Sequence, residues 1–519
     1  MKQDGARRVA PNQSVWASFE MPEFEPLRES IRTDVCIIGG GIAGLSAAYM
    51  LREAGKKLVV LDDGPLGGGM TRMTSAHLSN AIDDRYVEIE RLHGEAGARL
   101  AAESHTAAID RIELIAKKEK ISCEFERLDG YLFLGPGQSE ELLDRELLAA
   151  HRAGLRDVQK YECAPIDCFD TGPCLCFPNQ GMFHPLKYLA GLAKVLTSDG
   201  GHIFTGMHAD QIESGPLAQV KANNHTVSAD FVIIATNTPI NDRLVIHTKQ
   251  APYMTYVIGA QLPHGLVPKA LYWDTMDPYH YVRLQSHKRR GGHNGTTGYD
   301  VLIVGGEDHK TGQAEHNEER YLRLERWARE RFPMIGDVEF TWSGQVMETF
   351  DGLAHIGRNP LDSENVFIVT GDSGMGMTHG AIAGILLTDL IMGRSNPWTS
   401  LYDPSRKTIG SLPDFAMENV NVAMQYTDWF TGGDVRSTDG IVSGHGAIVR
   451  RGLVKMAAYR DELGVLHECS AICPHLGCIV HWNQSEKTWD CPCHGSRFDP
   501  LGKVINGPAN SNLSPADRK

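Results

Sequence analysis

Asp34-Val35-Cys36-Ile37-Ile38-Gly39-Gly40-Gly41-Ile42-Ala43-Gly44 carries a short, continuous apolar run straight into a glycine turn of the form Gly39-x-Gly41-x-x-Gly44. A run of that kind reads as a buried parallel strand. The residues to about Ala54 then read as a helix, and Leu58-Val59-Val60-Leu61 as a second strand ending in Asp62. Strand, glycine loop, helix, strand and acid in this order make a dinucleotide-binding βαβ unit. The glycines let the backbone turn tightly and approach a pyrophosphate at the helix N-terminus. Asp62, about twenty residues on, is placed to hydrogen-bond a ribose hydroxyl. The motif by itself does not separate NAD from FAD.

The chain has 519 residues, 42% of them hydrophobic and 22% charged, which predicts a globular protein of two to four domains. A net charge of -14 argues against nucleic acid as a partner, because phosphate binding needs a basic face. The longest uncharged stretch, Val35 to Leu51, is broken by Gly39, Gly40, Gly41 and Gly44, so no membrane span is expected. Met1 to Glu20 holds no apolar core of a signal peptide, and the expected location is cytoplasmic. Of the 11 cysteines, Cys163, Cys168, Cys174 and Cys176 form a loose group read as buried or loop thiols.

Another group is tighter. Cys473-Pro474-His475-Leu476-Gly477-Cys478 and Cys491-Pro492-Cys493-His494-Gly495-Ser496 are two short Cys/His clusters joined by a polar loop. Two thiolates on one iron and two imidazoles on the other make a Rieske [2Fe–2S] centre. That assigns Cys473 and Cys491 to one iron and His475 and His494 to the other. The spacings C-x-H and C-x-x-H also suit structural zinc; the complete strings favour the cluster. They resemble the paired loops of high-potential Rieske proteins, where two further cysteines join the loops. The resemblance implies a Cys478–Cys493 disulfide and a Ser496 hydroxyl directed at a bridging sulfide. Those proteins carry a tyrosine where this chain has Phe498, which implies a lower potential here.

Past Asp62, the loop Gly67-Gly68-Gly69-Met70-Thr71-Arg72-Met73-Thr74-Ser75-Ala76-His77 is rich in glycine and hydroxyls. It resembles the second flavin-contact segment of the D-amino-acid-oxidase-like FAD oxidoreductases, which include glycine and sarcosine oxidases. Some of those attach FAD through a histidine, for which His77 is the candidate here, set against a hydrogen-bonded or core histidine. Phe183-His184-Pro185-Leu186 and Phe231-Val232-Ile233-Ile234-Ala235-Thr236-Asn237 match the return of the chain to the FAD domain. The third signature is Val366-Phe367-Ile368-Val369-Thr370-Gly371-Asp372-Ser373-Gly374-Met375-Gly376-Met377-Thr378, followed by a helix from Thr378 to Leu390. In the family the positive end of that helix faces the flavin ring. The resemblance implies FAD contacts at Gly39, Gly41, Gly44, Asp62, Gly69, Thr71, Thr74, Gly374, Gly376, Met377 and Thr378.

The predicted architecture is an α/β FAD-binding Rossmann-type domain with an inserted antiparallel-sheet substrate domain, then an all-β Rieske domain. Its expected parts are an arm over 1–30, docked through Trp16 and Phe19, and an oxidoreductase over 31–400. FAD-binding segments fall at about 31–85, 180–250 and 345–395, and the substrate sheet at about 251–344. Residues 85–160 read as helical, 401–434 as a linker and 435–519 as the Rieske domain. Within the sheet, Tyr256, Tyr281 and Arg283 are candidate substrate contacts, with Arg283 suited to a carboxylate. Glu307-Asp308-His309-Lys310 reads as a solvent-facing loop, and no catalytic residue is assigned.

The family resemblance implies oxidation of a small amine or amino acid at the C–N bond, and both cofactor signatures in one chain imply an electron route. Electrons would pass from FAD to the cluster and on to a soluble acceptor protein. Two other readings compete. One is an electron-fed monooxygenase or reductase whose cluster is reduced by a donor protein; the other is a redox sensor or assembly factor.

Overall fold

The apolar run Ile31–Ile38 is a strand in the computed structural model, which describes residues 12–198, 200–241, 245–288, 298–314 and 316–516. It pairs in parallel with Leu58–Leu61 on one side and His225–Ile234 on the other. His202–Phe204 and Val366–Thr370 extend the parallel set, and His355–Arg358 closes one edge antiparallel. Helices Ile42–Glu53 and Gly376–Ile391 pack on each other over this sheet, and Ile37, Leu45, Ile233, Phe367 and Leu386 are buried in one continuous core. Each such side chain contributes about 1.5–3 kcal/mol by leaving water. The strand-to-helix turn needs Gly44: a Cβ there would stand 1.9 Å from the Gly39 carbonyl oxygen.

The second sheet has nine strands. Val338–Thr349, Gln250–Leu262, Gly298–Lys310, Tyr281–Lys288 and Leu271–Asp274 run antiparallel in that spatial order. It then continues beyond the expected 251–344 segment. Glu126–Phe133 joins Leu271–Asp274 in parallel, Cys174–Met182 pairs with Glu126–Phe133, and His77–Leu78 and Gln159–Tyr161 flank it. The all-helical reading of 85–160 is therefore corrected. Helices Arg85–Lys118 and Glu141–Arg152 are present, with strands beside them. Glu126–Phe133 buries alternate residues near its end, and its pairing partners lie far along the chain, out of reach of a local pattern.

Glu307–Lys310 is not a loop but the end of strand Gly298–Lys310, and Asp308 faces a cavity. Residues 401–434 are not a bare linker. They contain helix Leu412–Gln425 and the 3-10 turn Tyr426–Phe430. Val422, Tyr426 and Trp429, spaced along one helical face, pack on the core of the C-terminal domain. Tyr426 and Trp429 donate to the Leu476 and Gly477 carbonyls of the first Cys/His loop.

That domain consists of a three-stranded sheet, His445–Arg451, Val454–Arg460 and Leu466–Ser470, and a four-stranded one. The latter holds His481–Asn483, Thr488–Asp490, Arg497–Phe498 and Val504–Asn506. Of the N-terminal arm, residues 1–11 lie outside the described residues. Trp16 goes deeper than a surface dock: it is fully buried, donates to the Thr74 carbonyl at 2.7 Å and packs edge-on to His184, which Phe19 also meets. Among the described residues, no helix is long and apolar enough to cross a membrane.

Candidate active site and cluster-binding loops

A cavity of about 1090 Å³ lies where the parallel sheet, the nine-stranded sheet and the C-terminal domain meet. Gly39, Gly41, Asp62, Gly69, Thr71, Thr74, Gly374, Gly376 and Met377 all line it. Gly44 and Thr378 stand behind its wall: Gly44 tightens the turn, and Thr378 bonds His105 Nδ1 at 2.9 Å and donates to Met375 O. Asp62 accepts from the Gly40 and Gly64 amides, and burial raises its carboxyl to about 6 despite those two bonds. Thr71 Oγ1 receives the Ile42 amide at the helix start. A side chain added at Gly69 would meet nothing within 4 Å, so the backbone there lies open to the cavity. A glycine-lined hollow at two helix N-termini, with an acid at the end of the second strand, suits a flavin dinucleotide. These residues fit FAD.

The substrate candidates separate. Tyr281 lines the cavity, with its hydroxyl 3.0 Å from Thr255 Oγ1. Tyr256 does not, because side chains alternate across a strand. Its neighbour Thr255 takes the cavity face, while Tyr256 is buried on the other face against Tyr321 and His309. Arg283 is likewise withdrawn: fully buried, it donates to the Ser75 and Ala76 carbonyls and to Gln285 Oε1, with its guanidinium over Trp16. It holds the second glycine segment in place and presents no cation to a substrate. His77 lines the cavity and is hydrogen-bonded to Ser75; burial first, then Arg283, lowers it to about 3 and keeps it neutral.

What sequence reasoning missed are carboxylates. Asp83, Asp308, Glu348 and Asp372 all line the cavity, together with Tyr279 and Trp273. Tyr279 donates to Asp83 Oδ2 at 2.7 Å. Burial raises Asp83 to about 7 and Asp308 and Asp372 to about 6, and lifts Glu348 well above the carboxylate range. Only Asp372, two residues before Gly374, carried a local signal.

The Cys/His loops come together as the spacing requires. The Cys473 and Cys491 thiols are hydrogen-bonded to each other, a contact that holds Cys473 below and Cys491 above the usual thiol range. The His475 and His494 rings lie 5.0 Å apart. His494 is 5% exposed and lowered to about 3, chiefly by burial, so it is the neutral imidazole a metal takes. Its Nδ1 is buried without a hydrogen-bond partner, as a ligand nitrogen would be. Cys478 and Cys493 are joined as a disulfide. They form a close sulfur group with Cys491, leaving Cys491 as the free thiol of the three. Ser496 Oγ accepts the Ala509 amide, and its hydroxyl also reaches Cys473. Two thiols, two imidazoles and a bracing disulfide fit a [2Fe–2S] cluster.

The two sites share a wall. Gln345, 2% exposed, lines the cavity and donates to the Gly495 carbonyl at 2.8 Å, one residue from His494. A Cβ on Gly495 would stand 2.4 Å from Pro252 Cβ, so the cluster loop lies directly on the body. His247 of the body packs against both imidazole rings, 4.9 Å from His475 and 6.0 Å from His494. Gln313 donates to Pro492 O, and Asn510 to Ala209 O.

Residues 34–390 match the family model described as DAO, FAD dependent oxidoreductase, and residues 434–516 match the Rieske [2Fe-2S] domain. The chain is 32% identical over 521 aligned residues, 98% of each chain, to the Bacillus subtilis (strain 168) protein YhfW, by name a Rieske 2Fe-2S iron-sulfur protein. It is 27% identical to gamma-glutamylputrescine oxidoreductase of Escherichia coli (strain K12), over 71% of this chain and 86% of that one. Glycine oxidase from Geobacillus kaustophilus shares the fold, with a TM-score of 0.60 at 16% identity, over 72% of this chain and 99% of that one. The chain thus belongs to the FAD-dependent oxidoreductases of the DAO family, of the amine and amino-acid oxidase type, and carries a Rieske [2Fe-2S] domain at its C-terminal end.

Proposed function

We propose that the protein oxidises a small amine or amino acid at the C–N bond and passes the electrons through the Rieske domain to a soluble acceptor protein. The observation that carries this reading is Gln345, one side chain that lines the flavin cavity and holds the carbonyl beside His494. The chemistry supplied by bound FAD is acceptance of a hydride from a C–H next to nitrogen, and that supplied by the cluster is one-electron relay. Gly39, Gly41, Gly69, Gly374 and Gly376 would cradle FAD; Cys473, Cys491, His475 and His494 would hold the cluster.

The remaining work is done by side chains. Tyr281 and Tyr279, fixed by Thr255 and Asp83, shape the pocket at the nine-stranded sheet. The start of helix Gly376–Ile391 directs its free amides at the cavity, where they stabilise negative charge. Asn506, Gly507 and Ala509 of the Rieske domain form part of the cavity wall.

The test is anaerobic. A panel of small amines and amino acids should bleach the flavin of the holoenzyme and then produce the reduced-cluster EPR signal. No bleaching across the panel, together with rapid cluster reduction by a ferredoxin, would overturn the direction of flow. The expected cytoplasmic location is part of this reading, and recovery in a membrane or secreted fraction would refute it.

A further inference from the structure

We infer that the substrate is a cationic amine without a carboxylate next to the amino group, held in a carboxylate-walled pocket of the flavin cavity. This rests on the amine-oxidation reading above and deepens it. The wall brings together Asp83, Asp308, Glu348 and Asp372 with Tyr279 and Tyr281. The four acids come from four places: the loop after strand His77–Leu78, the end of Gly298–Lys310, the end of Val338–Thr349, and the loop after Val366–Thr370.

Their mutual proximity is visible in their electrostatics. After burial, the charges acting on Glu348 are Asp84, Asp83, Asp372 and Asp308. Those acting on Asp83 are Asp84, Asp308 and Asp372. Four acids walled into one cavity repel one another unless protons or a cation sit among them. Asp308 Oδ1 is buried with no hydrogen-bond partner, so one acceptor of the wall is left for a ligand donor.

The anionic alternative lacks its partner. A substrate carboxylate calls for a guanidinium or an ammonium. Arg283, the residue suited to that task by its place in the sheet, does not line the cavity, and both its terminal nitrogens are taken by Ser75 O, Ala76 O and Gln285 Oε1. Arg320 stacks on the far face of the sheet over Tyr256. Arg497 reaches the cavity from the Rieske domain but is held by Glu486 and Asp490. Lys503 reaches the cavity from the same domain and is not among the charges acting on Asp83 or Glu348. An alkylammonium offers N–H donors and a positive charge to these acids, and Trp273, Tyr279 and Tyr281 offer faces for a short alkyl chain.

Binding can be separated from oxidation with probes that have no C–H beside nitrogen. tert-Butylamine is the cation, 2-aminoisobutyrate is the same skeleton with a carboxylate in place of one methyl, and pivalate is the anion alone. Each is titrated into the FAD-loaded holoenzyme and followed by the flavin difference spectrum and by calorimetry. tert-Butylamine should bind at least about ten-fold more tightly than 2-aminoisobutyrate, and pivalate should not compete with it. Asp308→Asn and Glu348→Gln should each weaken tert-butylamine by about three-fold or more, with FAD content and thermal midpoint reporting on folding. Tighter binding of 2-aminoisobutyrate or pivalate, or no binding of any probe, would overturn the proposal. So would folded, FAD-replete Asp308→Asn and Glu348→Gln proteins that bind tert-butylamine as the wild type does. Flavin reduction by amino acids alongside a reversed preference would sink this inference and leave the oxidase reading standing. The cationic preference without flavin reduction by any amine would do the opposite.

Discussion

Replacing Gln345 by leucine tests the shared wall between the two cofactor sites. The amide donates to Gly495 O at 2.8 Å and to Thr311 Oγ1 at 3.4 Å, and accepts from Asn506 Nδ2 at 3.4 Å. Leucine keeps the volume and removes all three. The short bond dominates, and its loss leaves a buried carbonyl unsatisfied at a cost of about 1–3 kcal/mol. Gly495 packs on Pro252 and sits next to His494, so that cost falls on the seating of the cluster loop against the body. A loss of about 2 kcal/mol shifts such a seating equilibrium roughly 30-fold. In anaerobic stopped flow, flavin bleaching by substrate should keep its rate, while the reduced-cluster signal should appear at least about five-fold more slowly. Unchanged cluster reduction would refute the reasoning, since the joint would then carry nothing. Equal slowing of both steps, or loss of FAD, would also refute it by placing Gln345 in flavin binding alone.

Three further predictions concern single groups. Phe498→Tyr should raise the cluster potential within the Rieske range of about −150 to +300 mV, and voltammetry showing no upward change would end that idea. Gly374 sits at φ +72°, and a Cβ there would stand 1.7 Å from Asp83 Oδ2; Gly374→Ala should abolish stoichiometric FAD, as read from absorbance per protein, and full retention would contradict the cradle. Arg406 grips Asp351 through two bonds at 2.8 and 2.6 Å, with both side chains 8% exposed. Burial opposes ionisation of Asp351, yet Arg406 overrides it and holds the carboxyl well below its usual range. The folded pKa is depressed, so the pair's contribution is present above the unfolded carboxylate pKa near ~4 and is lost as pH falls through the folded value. Arg406→Met should therefore cost about 3–5 kcal/mol in denaturant unfolding at neutral pH, and a loss below about 1 kcal/mol would show that the pair is not what anchors this segment.

Local sequence determined the parts whose chemistry lies within a few residues. Gly39-x-Gly41-x-x-Gly44 declares its turn because no side chain fits beside the Gly39 carbonyl. Cys473, His475, Cys491 and His494 stand out as a metal-binding set because their spacing on two short loops is local, and the complete strings around them favour a Rieske cluster over zinc. Even the clasp over 412–430 was written locally, as Val422, Tyr426 and Trp429 on one helical face, though prolines nearby masked it.

Tertiary structure decided which face each residue takes and which distant residues meet. Thr255 and Tyr256 are neighbours in sequence, and the two-residue period of a strand sends them to opposite sides of the sheet. Arg283 follows Tyr281 by two residues, yet the buried carbonyls of Ser75 and Ala76 capture it before any substrate could. Asp83, Asp308, Glu348 and Asp372 carry no spacing to announce them, since a chain pattern records neighbours along the backbone, while a pocket is assembled by sheet pairing across hundreds of residues. The glycine turn Gly39-x-Gly41-x-x-Gly44 announced a dinucleotide cofactor; the pairing of strands far from it decided what kind of molecule can stand beside that cofactor.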